Sequence, residues 1–115
     1  MNATIKQAGV NTISLDELKD YFHCFDLLIN ATSVGHAKNI HATPVPTKIL
    51  KKAKKTMLVY DIIYDPIKTK LLEDCKNLGL KTINGLRMNL IQAVLAYSYT
   101  NRTNLSIEEI YSAMN

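Results

Sequence analysis

The sequence predicts an α/β fold, a parallel sheet of about four strands flanked by helices. The strongest sign is the stretch Met57-Leu58-Val59-Tyr60-Asp61-Ile62-Ile63-Tyr64-Asp65-Pro66, rich in residues that suit a pleated surface. Apolar residues fall on both parities except at Asp61, the pattern of a strand covered on both faces. Pro66 ends it, because proline has no ladder donor and moves Asp65 out of helical space. Helical spacing follows at Leu71, Leu72, Cys75 and Leu78, closed by Gly79. The same alternation of strand and helix recurs on either side.

The other elements follow in order. Residues 1–8 read as the end of a helix stopped by Gly9, and Val10–Ser14 as a short strand. Ser14 opens a helix with Asp16 and Glu17 in its first turn and Leu15, Leu18, Tyr21 and Phe22 on one side. Asp26–Ala31 reads as a strand, the residues from Gly35 to Pro46 as irregular, and Thr47–Lys54 as a helix. The helix after the central strand runs over Lys68–Leu78, and Lys81–Asn84 forms a further strand ended by Gly85. From Arg87 to Tyr99 the pattern is helical and apolar almost all round, which predicts burial. Ser106 caps a last helix through Met114.

A chain of 115 residues, 47% hydrophobic and 21% charged, is expected to be one domain with its own core. It shows no apolar run of membrane-span length and no basic-apolar-small leader, so a cytoplasmic location without membrane contact is expected. Cys24 and Cys75 are expected to be free, buried thiols. The net charge of +4 is concentrated in Lys48, Lys51, Lys52, Lys54 and Lys55. No aromatic residue is interleaved with them, so they read as a solvated helix face rather than a nucleic-acid site.

Most site chemistries are not supported. The histidines His23, His36 and His41 have no metal-ligand spacing with the cysteines, and adjacent His23 and Cys24 would point to different sides of a helix. Asp61 and Asp65, a strand-end acid and a turn acid, read as structural. The four glycines are too scattered for a dinucleotide Gly-rich turn or a P-loop. What remains is a set of strand-end segments: Asn30 to Gly35, Asp61 to Pro66 and Asn84 to Met88. Gln92 follows one helical turn after Met88, as a polar residue on an apolar face. It is expected to bond either neighbouring backbone or a ligand hydroxyl.

Those segments, in this order and spacing, resemble the C-terminal, NADP-binding part of shikimate dehydrogenase and its quinate/shikimate relatives. The family's Asn-Ala-Thr-Ser-x-Gly run is met at Asn30 to Gly35. Its Asp-x-x-Tyr-x-Pro-x-x-Thr-x-Leu-Leu pattern is met at Asp61, Tyr64, Pro66, Thr69, Leu71 and Leu72. Its Asn-Gly-Leu-x-Met followed by Gln-Ala is met at Asn84, Gly85, Leu86, Met88, Gln92 and Ala93. The resemblance implies a partial Rossmann-like sheet, with the first strands and the Gly-rich turn of the full fold missing. It implies NADPH-dependent reduction of 3-dehydroshikimate to shikimate, in the shikimate pathway of aromatic amino-acid biosynthesis. Thr32, Ser33, Ile63, Gly85 and Met88 would then lie by the NADP cofactor, and Tyr64 and Gln92 by the small-molecule substrate.

The sequence also departs from the pattern. His36 stands where the family has Met, Arg87 where it has Gly, and Asn89 where it has Leu. The family's substrate domain with its Lys-Asp pair has no counterpart, so no catalytic residue is carried over. The leading expectation is a truncated enzyme, inactive alone. The alternative is a non-catalytic module that keeps the fold and oligomerises. Without the first strands of the order 3-2-1-4-5-6, Asp26–Ala31 would expose an apolar edge. Either Val10–Ser14 slides beside that edge, or two chains pair through it as a homodimer.

Overall fold

The computed structural model describes residues 9–101 and 103–115, so the expected helix end before Gly9 lies outside the described residues, as does Arg102. Its sheet has three strands, β1 (Leu27–Asn30), β2 (Leu58–Asp61) and β3 (Lys81–Ile83), all parallel and in sequence order. Leu28 sits opposite Val59, and Asn30 opposite Asp61. The carboxyl ends of the strands therefore share one edge.

Around the sheet lie α1 (Leu15–Tyr21), α2 (Thr47–Leu50), α3 (Lys70–Asn77), α4 (Leu86–Thr100) and α5 (Ile107–Met114). Ser14 and Ser106 cap α1 and α5 reciprocally with Glu17 and Glu109, each hydroxyl accepting an N–H and each carboxylate reaching back to the cap. Those hydrogen bonds from serine hold both carboxyls below their ordinary range. Thr69 caps α3 by accepting from the Leu72 N–H. Gly79, in left-handed conformation at φ 77°, ends that helix as expected.

One face of the sheet carries the core. Phe22, Leu50, Met57, Val59, Leu71, Leu72 and Cys75 form a single buried cluster, with Leu18 and Leu28 packed against it. The opposite face is open: Leu27 and Ile29 are each 50% exposed and Ile83 48%. The sheet is flanked by helices as expected, but the expectation that the β2 strand is covered on both faces is corrected. Both parities of β2 are apolar, but helices of the described chain cover only the Val59 and Asp61 side.

Other expectations are corrected too. Val10–Ser14 forms no strand, and the sheet has three rather than four. Val10 and Ile13 are exposed and the segment does not slide beside β1, whose ladder partner among the described residues is β2 alone. α2 stops at Leu50 and the chain turns through Lys51–Ala53, short of Lys54. α4 is less buried than its all-round apolarity predicts. Val94 is buried, but Ile91, Tyr97 and Tyr99 are exposed, since α4 packs mainly against α5.

The lysines of the basic run are largely structural. Lys52 donates to the Lys19 carbonyl, Lys54 pairs with Asp26 at 2.8 Å, and Lys55 donates to the Leu78 carbonyl. Asp74 fastens α2 to α3, accepting from Thr47 at 2.9 Å and from Lys70. Burial works against its charge, but these two bonds prevail and hold the carboxyl below its ordinary range.

The two cysteines differ. Cys24 is exposed, contrary to expectation, and its Sγ lies 3.3 Å from His23 Nε2 because a 3-10 turn over Phe22–Cys24 brings the neighbours together. Cys75 is buried, and burial, aided by the charge of Asp74, pushes its thiol up from 9.0 to about 11. The unfolded chain thus loses this proton first, and the fold loses stability as pH rises through 9.0 toward about 11. The alkaline fall in melting temperature is expected to be shallower in Cys75→Ala, measured against wild type across that window.

Candidate functional site

The site is built at the shared carboxyl edge of the strands, and one buried acid organises it. Asp61 is fully buried at the end of β2. Its Oδ1 accepts from the Asn30 side-chain amide at 3.0 Å and from the Ile63 backbone N–H at 3.1 Å, and its Oδ2 from the Thr69 hydroxyl at 2.7 Å. Asn30 extends the network outward: its amide also donates to the Val34 carbonyl, and its Oδ1 accepts from the Thr32 N–H and hydroxyl. The Thr32 hydroxyl in turn accepts from the Val34 N–H. Two loops, the one after β1 and, at both its ends, the one between β2 and α3, are pinned to one carboxylate. Among the described residues no buried side-chain N or O lacks a partner.

The pinned loops enclose a shallow depression of about 240 Å³ lined by Thr32, Ser33, His36, Ile62, Ile63 and Tyr64. Gly35, between the lining residues Ser33 and His36, is buried at φ 106° with the Ile63 side chain 3.5 Å from where a Cβ would stand. Gly85 closes the base for a different reason. Its N–H donates to the Ile63 carbonyl at 3.0 Å, and a Cβ there would stand 1.8 Å from the Ile62 oxygen. Only glycine lets the start of α4 approach so closely.

Four of the seven expected site residues, Thr32, Ser33, Ile63 and Tyr64, thus line one concavity, and Gly85 abuts it. Met88 is half-buried on α4 and does not line the depression. Gln92 is exposed, so the expectation of a buried amide needing partners is corrected. With α4 open on that side, solvent serves its side chain. His36 and Ile62 line the depression without having been singled out for it. The backbone donors are spent: Ile63 N–H goes to Asp61 and Gly85 N–H to Ile63. The Ile63 carbonyl keeps one lone pair, so an incoming amide N–H would find an acceptor there.

Among the described residues no group of His, Cys, Asp or Glu is arranged to hold a metal ion. Asp61, structural as expected, is the residue on which the loops of the site converge. Its signal was visible, as the one polar residue in an apolar strand.

No protein-family model matches the chain. Individual relatives do. It is 44% identical over 85 residues to the shikimate dehydrogenase (NADP(+)) of Bacillus licheniformis, covering 74% of this chain and 30% of the relative. It is 39% identical over 94 residues to that of Pyrococcus abyssi, covering 82% of this chain and 34% of the relative. The fold superposes with a TM-score of 0.72 on shikimate 5-dehydrogenase from Thermus thermophilus, crystallised with NADP(H) and shikimate. That match has 26% identity and covers 97% of this chain and 40% of the other. The chain spans about a third of the length of the curated relatives it matches. By sequence and by fold, it is a homologue of part of shikimate dehydrogenase.

Proposed function

We propose that this chain forms the nicotinamide-side wall of an NADP-dependent shikimate dehydrogenase, an oxidoreductase interconverting 3-dehydroshikimate and shikimate. The observation that supports it best is the depression in which Thr32, Ser33, Ile63 and Tyr64 converge beside Gly85 at the strand ends. That is where open α/β sheets take their ligands. The residues fit the cofactor's polar and flat parts. The Ser33 hydroxyl would bond its polar groups, the Thr32 hydroxyl, whose proton goes to Asn30, would accept through its remaining lone pair, and the free lone pair of Ile63 would receive its carboxamide. Ile62 and Ile63 would offer apolar surface to its ring, with Met88 beside the depression on α4.

When bound, NADP(H) supplies the hydride chemistry. Tyr64, 47% exposed, would present its phenol to the substrate's hydroxyl and carboxylate region. Gln92 would join it from α4. No residue of this chain is assigned the proton, so turnover needs an acid–base group from the rest of the enzyme. A cytoplasmic location goes with this reading. No described helix is long and apolar enough to cross a membrane.

Fluorescence titration with NADPH is expected to show saturable binding in the micromolar range. Ser33→Ala should weaken it by about twofold to tenfold, the worth of one hydrogen bond, and Thr32→Val by more, because it also removes the bonds to Asn30 and from Val34. A folded chain that binds no NADPH contradicts the reading.

The interaction-module alternative has an observation of its own. β1 pairs only with β2, leaving its outer edge free beside half-exposed Leu27 and Ile29. A homodimer through that edge would appear in sedimentation equilibrium as concentration-dependent mass, abolished by Ile29→Lys. A monomer at every concentration rejects it.

A further inference from the structure

His36 is the one basic side chain lining the depression at the strand ends, beside Thr32, Ser33, Ile62, Ile63 and Tyr64. Lys38 and His41, on the same loop, do not line it. No acidic side chain lines it either, and the site's buried acid, Asp61, is taken up by Asn30, Ile63 and Thr69.

The backbone holds His36 in place while its ring stays unused. Its N–H donates to the Ser33 carbonyl at 3.1 Å, and its carbonyl accepts from the Asn39 N–H at 3.0 Å. The exposed imidazole makes no hydrogen bond or ion pair among the described residues. The Thr32 hydroxyl, by contrast, gives its proton to Asn30. An unpaired histidine on a surface loop is ordinary. One fixed at the wall of a concavity, among hydroxyls and aliphatic chains, is placed to meet a ligand. The group it suits is an anion, because the ring donates an N–H in either protonation state and brings charge in the second.

We propose that His36 binds the phosphate next to the nicotinamide ribose, so that the depression takes the nicotinamide mononucleotide half of the cofactor. This rests on the dinucleotide reading of the same depression. A volume of about 240 Å³ is below that of whole-ligand pockets and suits part of a dinucleotide. That half of the cofactor carries an amide, then ribose hydroxyls, then a phosphate. Ile63 is bonded to Gly85 on one side of the site, and Ser33 is bonded to His36 across the loop after β1 on the other. With the carboxamide on the Ile63 carbonyl and the ribose at Ser33, the phosphate comes to His36.

The test is an NMR titration of the full chain with reduced nicotinamide mononucleotide and with reduced nicotinamide riboside, which differ only by the phosphate. Both are expected to shift Ser33 and Ile63. The mononucleotide alone should shift the His36 ring signals, and it should bind about tenfold tighter, the worth of a charge-assisted hydrogen bond. His36→Phe keeps a flat ring without the N–H. It should remove that preference, leave riboside affinity within about twofold and weaken NADPH by about tenfold. His36→Lys, which supplies a cation again, should recover most of the preference. Both variants replace an exposed side chain and keep the backbone bonds, and unchanged amide spectra check that they fold. Equal binding of mononucleotide and riboside, or a preference that survives His36→Phe, would overturn the assignment of His36 and leave the dinucleotide reading standing. No binding of NADPH, mononucleotide or riboside would overturn both. A His36 ring that responds to shikimate and not to the mononucleotide would give the imidazole to the substrate's carboxylate, and overturn the assignment too.

Discussion

Gly85→Ala is expected to cost about 3 kcal/mol, at the upper end of what overpacking usually does. The added methyl would stand 1.8 Å from the Ile62 oxygen and 2.4 Å from its carbonyl carbon. Both are backbone atoms, so no side chain can swing away. Either α4 moves off the strand end or the Ile62–Ile63 segment is displaced, and the Gly85 to Ile63 hydrogen bond goes with it. The conformation itself is innocent, since Gly85 has φ −79°, which alanine adopts freely. Gly79→Ala is the matching control. It sits at φ 77° with nothing within 4 Å of the new atom, so its cost should be purely conformational, about 1–2 kcal/mol. Urea unfolding midpoints of the two variants separate the mechanisms. A Gly85→Ala chain as stable as wild type would mean that α4 does not dock against Ile62 in solution.

The second large effect is at Asp61. Asp61→Ala leaves the Asn30 amide, the Ile63 N–H and the Thr69 hydroxyl without their acceptor in a site closed to water. Each orphaned group costs about 1–3 kcal/mol, so a loss of about 3 kcal/mol or more is expected, a large part of a small domain's total. Asp61→Asn should be milder, because an amide oxygen still accepts on one side while its NH2 faces a donor on the other. The two variants also separate stability from binding. If Asp61 pins the loops, Asp61→Asn should lower NADPH affinity in proportion to how far Thr32 and Ile63 shift in the NMR spectrum.

Much of this was legible in the sequence because it depended on local chemistry. Ser14, Thr69 and Ser106 declare their helix starts by hydroxyls that satisfy nearby N–H groups, and Gly79 declares a stop by its left-handed φ. The parallel order of β1, β2 and β3 follows from strand–helix alternation. The gathering of Thr32, Ser33, Ile63 and Tyr64 follows from strand ends sharing one edge. What misled was everything that depended on neighbours. Val10–Ser14 has the composition of a strand but does not join the sheet. α4 and the Leu27–Ile29 face carry apolar residues fit for burial, and the described chain leaves many of them exposed. Gln92, expected from the same pattern to be buried, is exposed for the same reason. Asp61 reads as structural from sequence, and the fold adds that Asn30 and Thr69, 31 and 8 residues away, both end on it.

The central claim is that Thr32, Ser33, Ile63, Tyr64 and Gly85 form one wall of a working dinucleotide site. The most direct measurement is a backbone NMR titration of the chain with NADPH, then with shikimate. Saturable NADPH shifts confined to Thr32–His36, Ile62–Tyr64 and Gly85–Met88, with shikimate adding shifts at Tyr64 and Gln92, are the predicted result. A folded chain whose strand-edge residues do not respond, while residues elsewhere do or none do, would contradict it.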